Sequence, residues 1–269
     1  MHTKIRHPAI RYHGGKFRLA SWIISHFPEH RCYVEPFGGA ASVLLRKKPS
    51  EAEVYNDIDG DVVNLFRVLR DPKKSQALID ACALSPYSRA EFQCAYEPTD
   101  DPIEQARRLI VRATKGSTGF RLDTRRNSAT AQTIWARQPD NLAAVASRFS
   151  GVLVENRDAI QCMRDHDTPT TLHFVDPPYV QSTRVCVAKN SAYRYELTDS
   201  QHIELLDVLK DMQGYVVLCG YDNQIYNDQL SSWEKASRTV SACGRAGSVP
   251  RTECLWINPA AQKKREGRV

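Results

Sequence analysis

The chain has 269 residues, 42% hydrophobic and 25% charged, which suits one large α/β domain with a substantial insertion and excludes a disordered or fibrous protein. No run approaches the roughly 20 apolar residues that span a bilayer, and Met1–Pro8 lacks the apolar centre of a signal peptide, so the expectation is a soluble, cytoplasmic protein. Lys and Arg number 37 against 31 Asp and Glu, a formal charge of +6 that points weakly to a polyanionic partner.

In chain order, Cys32–Glu35 reads as a short strand stopped by Pro36. The turn Phe37-Gly38-Gly39 follows, then a helical stretch over Ala40–Lys47. Ala52–Tyr55 reads as a second strand, with Asn56-Asp57-Ile58-Asp59 at its carboxyl end and a helix from Asp61 to Arg70. Two strand–turn–helix units in succession predict a parallel sheet.

From Asp71 to Phe149 helical stretches alternate with polar loops at Glu97–Pro102 and Gly116–Gln132, the pattern of a mainly helical insertion. Strands resume at Val152–Val154, before Asn156-Arg157-Asp158, and at Thr171–Val175, which runs into Asp176-Pro177-Pro178-Tyr179. A helix over Thr198–Met212, a strand over Tyr215–Cys219 and two late strands near 236–240 and 253–257 close the chain. The eight cysteines stand singly without CxxC or zinc-finger spacing, and neither a disulfide framework nor a metal site is expected.

A doubly wound sheet binds ligands beyond the carboxyl ends of its strands. Every Gly- or acid-bearing motif above falls there. Two glycines without GxGxxG or a P-loop lysine support no pyrophosphate cradle, although they let a backbone approach a smaller ligand; a plain turn explains them about equally well. Asp57 sits where an acid accepts from a ribose, or equally where it caps the next helix. The proline pair after Asp176 fixes the backbone and leaves carbonyls free of sheet pairing, so a carboxylate and a carbonyl can together accept both hydrogens of an exocyclic amino group. Tyr179 stands close enough to stack on a base drawn out of a duplex.

Between Arg107 and Arg137 eight basic residues face a single acid, Asp123. Arg107, Arg108 and Arg112 lie on a helix and suit ion pairing or a solvated face, whereas Lys115, Arg121, Arg125 and Arg126 flank a loop poor in acids and suit phosphate contacts. His13 and His202 read as structural, Trp256 as core, and the basic tail Lys263-Lys264-Arg265 as a solvated terminus.

Tyr12-His13-Gly14-Gly15-Lys16, Glu35–Gly39, Asn56–Asp59, Asp176–Tyr179 and Arg251–Trp256, in that order, resemble the Dam-like DNA adenine methyltransferase family; the likeness is weak over 72–150. The glycine turn reads Phe-Gly-Gly-Ala-Ala where the family favours a Phe-x-Gly-x-Gly type. The resemblance implies an α/β fold with a Rossmann-like methyltransferase sheet, mostly parallel with a late antiparallel strand. Residues 1–70 and 151–269 would form the catalytic domain binding S-adenosylmethionine, and 71–150 a helical target-recognition insertion. It implies methylation of adenine N6 in double-stranded DNA by a monomer needing no metal and touching no membrane. Asp176, Pro177 and Tyr179 would be catalytic, and Tyr12, Lys16, Phe37, Gly38, Gly39, Asp57, Asp158 and Asp176 would contact the methyl donor.

Overall fold

A computed structural model describes residues 5–115, 135–183, 194–244 and 247–267. Seven strands form one sheet: β1 (Cys32–Glu35), β2 (Ala52–Asn56), β3 (Leu153–Glu155), β4 (Thr171–Val175), β5 (Tyr215–Tyr221), β6 (Glu234–Gly244) and β7 (Gly247–Ile257). Their order across the sheet is β3-β2-β1-β4-β5-β7-β6, with β3 through β5 parallel and β7 antiparallel to both β5 and β6. The order reverses direction between β1 and β4, so a crevice opens beyond their carboxyl ends. All five residues of β4 are buried, as in a central parallel strand covered on both faces.

The helices are α1 (Ala20–Ile24), α2 (Gly60–Arg70), α3 (Pro72–Leu84), α4 (Arg89–Cys94), α5 (Pro102–Lys115), α6 (Gln138–Phe149), α7 (Ala159–His166), α8 (Asp199–Asp211), α9 (Gln224–Gln229) and α10 (Pro259–Arg265). Between 71 and 150 the described residues form helices α3 to α6 joined by loops, with no strand among them, and several share the core of the sheet. Phe149 of α6 stacks on Phe66 of α2 at 4.4 Å, and both rings meet Tyr55 of β2. Asn141 donates to the carbonyl of His7 at 3.0 Å, fastening α6 to the N-terminal segment. Shared aromatic packing and this bond make α6 part of the sheet's own support.

Two elements differ from expectation. Ala40–Lys47 is a chain of turns, not a regular helix, because Gly39 (φ 46°) and Ala41 (φ 53°) are left-handed and break the run of right-handed residues a helix needs. Its Ala40, Ala41, Val43, Leu44 and Leu45 are all buried, so the segment threads the core rather than showing it one face. The late strands are eleven residues each, longer than the apolar pattern indicated, since Lys235, Ser237, Arg238 and Thr239 on β6 are exposed and carry no hydrophobic signal.

Candidate active site

The glycine turn is sewn to the end of β2. Gly38 N donates to Asn56 O at 2.7 Å, Gly39 N to Asp57 Oδ2 at 2.7 Å, and the Tyr55 hydroxyl to Gly39 O at 2.7 Å. Asp57 Oδ1 accepts from Asp59 N at 2.8 Å, while Asp59 accepts from Asp61 N and caps α2, so Asp57 ties turn to loop and is not the helix cap. Burial pushes the Asp57 carboxyl up, against the two backbone bonds. A Cβ on Gly38 would stand 2.2 Å from the Tyr55 ring, and one on the left-handed Gly39 would stand 2.9 Å from the Tyr12 ring. Only glycine fits at both positions.

Above the turn lies an open cleft, about 630 Å³ with its solvent-filled mouth included. Tyr12, Lys16, Phe37, Gly38, Gly39, Asp57 and Asp176, separate in sequence, converge on its walls with Pro178. Ser42 Oγ is buried there without a partner among the described residues. Glu35 closes the floor: its Oε2 accepts from the Tyr33 hydroxyl at 2.9 Å and Leu44 N at 3.0 Å, and burial pushes its carboxyl up to about 8.

Asp176, at the end of β4, faces Lys16. Lys16 Nζ lies 3.1 Å from Asp176 Oδ1, donates to Gly14 O at 2.6 Å and stands 4.6 Å over the Tyr179 ring. Lys16 is only 3% exposed, so this ammonium is a partner of the acid at the corner and not a surface lysine. Burial pushes the Asp176 carboxyl up and Lys16 opposes it. Pro177 is buried and Pro178 lines the cleft. Tyr179, read as a stacking platform, is 6% exposed: its hydroxyl donates to Glu253 Oε2 at 2.7 Å and its ring meets Tyr221 edge-on at 4.7 Å.

Sequence reasoning held Glu35 and Glu253 only as members of the motifs Glu35–Gly39 and Arg251–Trp256, gave neither a role of its own, and passed over Ser42. The signal for Glu253 is a carboxylate opening the apolar run Cys254-Leu255-Trp256-Ile257, where a core strand has no ordinary use for charge. Asp158 is placed elsewhere: it is exposed, caps α7 by accepting from Gln161 N at 3.0 Å, and is not part of the cleft wall. His13 lies at the cleft, whereas His202 is fully buried against the Tyr226 hydroxyl and Trp256 is core.

Lys115 ends α5, and Arg121, Arg125 and Arg126 lie outside the described residues. The helix arginines are ion-paired: Arg107 with Glu91 and Glu104, Arg108 with Glu104, Arg112 with Asp61. Among the described residues no helix is long and apolar enough to cross a membrane, and no cluster of three or more His, Cys, Asp or Glu could hold a metal.

A parallel sheet ending in an antiparallel pair, with its cleft at the β1/β4 reversal and Asp176 and Pro178 of an Asp-Pro-Pro-Tyr corner lining that cleft, is consistent with a Rossmann-like methyltransferase fold. The chain belongs to the D12 class N6 adenine-specific DNA methyltransferase family, whose sequence profile matches residues 12–241. It is similar to the DNA adenine methylase of Haemophilus influenzae, 39% identical over 69 residues, covering 25% of this chain and 24% of that protein. The DNA adenine methylases of Vibrio cholerae and Escherichia coli are 39% and 36% identical over 61 residues, each covering 23% of this chain and 22% of theirs. The matched stretches thus span about a quarter of the curated relatives' length.

Proposed function

We propose that the chain transfers a methyl group from S-adenosylmethionine to the N6 amino group of adenine in double-stranded DNA. The observation that carries this reading is the convergence of Asp176, Gly38-Gly39 and Asp57 on one cleft in a member of this family. The walls fit a nucleoside bearing an amino acid. Gly38 and Gly39 leave no room for a side chain between backbone and ligand, Asp57 retains lone pairs for ribose hydroxyls, and Ser42 Oγ is a buried polar atom awaiting a partner.

When bound, S-adenosylmethionine supplies a methyl carbon made electrophilic by sulfonium. The chain's residues present the nucleophile. Asp176 and the Pro177 carbonyl accept the two amino hydrogens, turning the nitrogen lone pair out of the ring and stabilising the positive charge that grows on it, an effect of about 3–4 kcal/mol per group in preorganised sites. Lys16, 3.1 Å from Asp176 Oδ1, opposes the rise that burial imposes on this carboxyl and so favours its accepting form. Holding both reactants in line supplies up to about 7–11 kcal/mol more. The target adenine leaves the helix to reach the cleft, with Tyr179 beneath it, while Lys115, Arg121, Arg125 and Arg126 hold phosphates.

Labelled S-adenosylmethionine incubated with the chain and duplex DNA, followed by digestion to nucleosides, tests the reading. Label in N6-methyladenine is expected. Label in N4-methylcytosine, or in RNA alone, overturns the adenine assignment, and absence of S-adenosylmethionine binding in a calorimeter marks a DNA-binding relative without catalysis.

A further inference from the structure

Glu253 is a buried carboxylate, 6% exposed, with no Lys or Arg within ion-pair distance among the described residues. Leaving water without a close cation costs several kcal/mol as an order of magnitude, which a purely structural position on an apolar strand gives no reason to bear. Its close polar neighbours are the Tyr179 hydroxyl at 2.7 Å and the Cys219 thiol at 3.8 Å. The antiparallel register of β7 sets Glu253 opposite Tyr221 of β5, whose ring contacts the edge of Tyr179. Tyr179 is therefore held at three points: Lys16 over its ring, Tyr221 against it, and Glu253 at its phenol end. Two proline rings join it to Asp176, so a tilt of the ring is passed to the carboxylate with little slack.

Resting on the methyl-transfer reading above, we infer that Glu253 is a positioning residue for the reaction: by accepting the Tyr179 hydroxyl it fixes the ring beneath the extruded base and, through Pro177-Pro178, the Asp176 carboxylate. It touches neither reactant. Its removal should lower turnover while leaving binding of both substrates in place.

The test is a double-mutant cycle on the full chain, with kcat and KM measured for S-adenosylmethionine and DNA. Glu253→Leu and Tyr179→Phe should each lower kcat about tenfold or more with either KM changed less than about twofold, and the double variant should fall no further than the worse single one. Glu253→Gln, which keeps an oxygen to accept the phenol, should recover most of the loss; a residue serving only stability would instead move the melting temperature and leave kcat alone. Losses that multiply in the double variant, or a Tyr179→Phe enzyme with full kcat, overturn the inference, and the second outcome decides even if Glu253→Leu fails to fold. An unaltered chain that methylates no DNA overturns the proposed function and this inference together, whereas an active chain without coupling overturns this inference alone.

Discussion

Two buried lysines stand over tyrosine rings on this sheet, Lys47 at 4.5 Å from the Tyr33 centroid and Lys16 at 4.6 Å from that of Tyr179, and their surroundings differ in one respect. Lys47 shares one carboxylate with a second cation, Arg148. Its ammonium donates to Glu53 Oε1 at 2.6 Å, Ser50 Oγ at 2.7 Å and Lys48 O at 2.8 Å, and Arg148 grips both oxygens of Glu53 at 2.6 and 2.8 Å. Burial raises the Glu53 carboxyl, but the bonds from Arg148 and Lys47 outweigh it and hold the group below its usual range. Around Lys16 one ammonium pairs with Asp176 alone, Glu253 lies beyond ion-pair distance, and burial prevails at both carboxyls, pushing them up. A carboxylate gripped by two cations stiffens the fold, whereas carboxyls pushed up by burial beside a cleft mark a candidate site. The same lysine-over-tyrosine pair thus sits in a matrix of held charge at one end of the sheet and at the proposed site at the other.

The contrast can be broken most sharply at Asp176. Asp176→Ala should lower kcat at least about a hundredfold while DNA binding, followed by fluorescence anisotropy, stays near that of the unaltered chain. A fully active variant would remove the role assigned to this carboxylate. Glu53→Ala should do the reverse. Two buried cations lose their partner, so stability should fall by about 3–5 kcal/mol in urea titrations, with kcat per folded molecule unchanged.

A third test uses pH. The folded Glu35 keeps its proton up to about 8, whereas the unfolded one loses it near the ordinary value of 4.5. Across that window the folded state binds more protons, so Glu35 makes stability fall as pH rises from 4.5 to about 8, by on the order of a few kcal/mol. Glu53 contributes oppositely: its stabilisation is present above the usual carboxylate range and is lost as pH falls through its depressed value. Glu35→Gln should therefore flatten the decline between pH 5 and 8 seen by urea titration, and an unchanged decline would remove Glu35 as its source. The smallest effect concerns the arginines. Neutralising Arg125 and Arg126 together should reduce the slope of log K against log salt by roughly 2, about 0.9 per phosphate contact. Arg107→Gln, whose guanidinium is engaged by Glu91 and Glu104, should leave that slope unchanged.

Much of this site was legible in the chain alone. Pro36, Gly38-Gly39, Asp57 and the proline pair after Asp176 announce themselves by local backbone chemistry, and each lies beyond the carboxyl end of a strand, where a parallel sheet gathers them. The helix arginines, read as ion-paired or as a solvated face, are ion-paired. What escaped was partnership. Nothing near Glu253 in sequence indicates that it meets Tyr179, 74 positions away, because that contact depends on β7 entering antiparallel beside β5 in one particular register. The irregular path of Ala40–Lys47 escaped for a related reason: burial on all sides, with Ala41 left-handed, is decided by what packs around the segment and not by its own helical propensity.

By itself, then, the sequence determined the alternation of strands and helices, the places where the chain must turn, and the residue types that crowd the cleft, since periodicity, glycine and proline act within a few residues. Only the tertiary structure decided which charges meet. Strand order and register join residues far apart in the chain, and the balance of burial and partners then sets whether a carboxyl is held down, as in Glu53, or pushed up, as in Asp176.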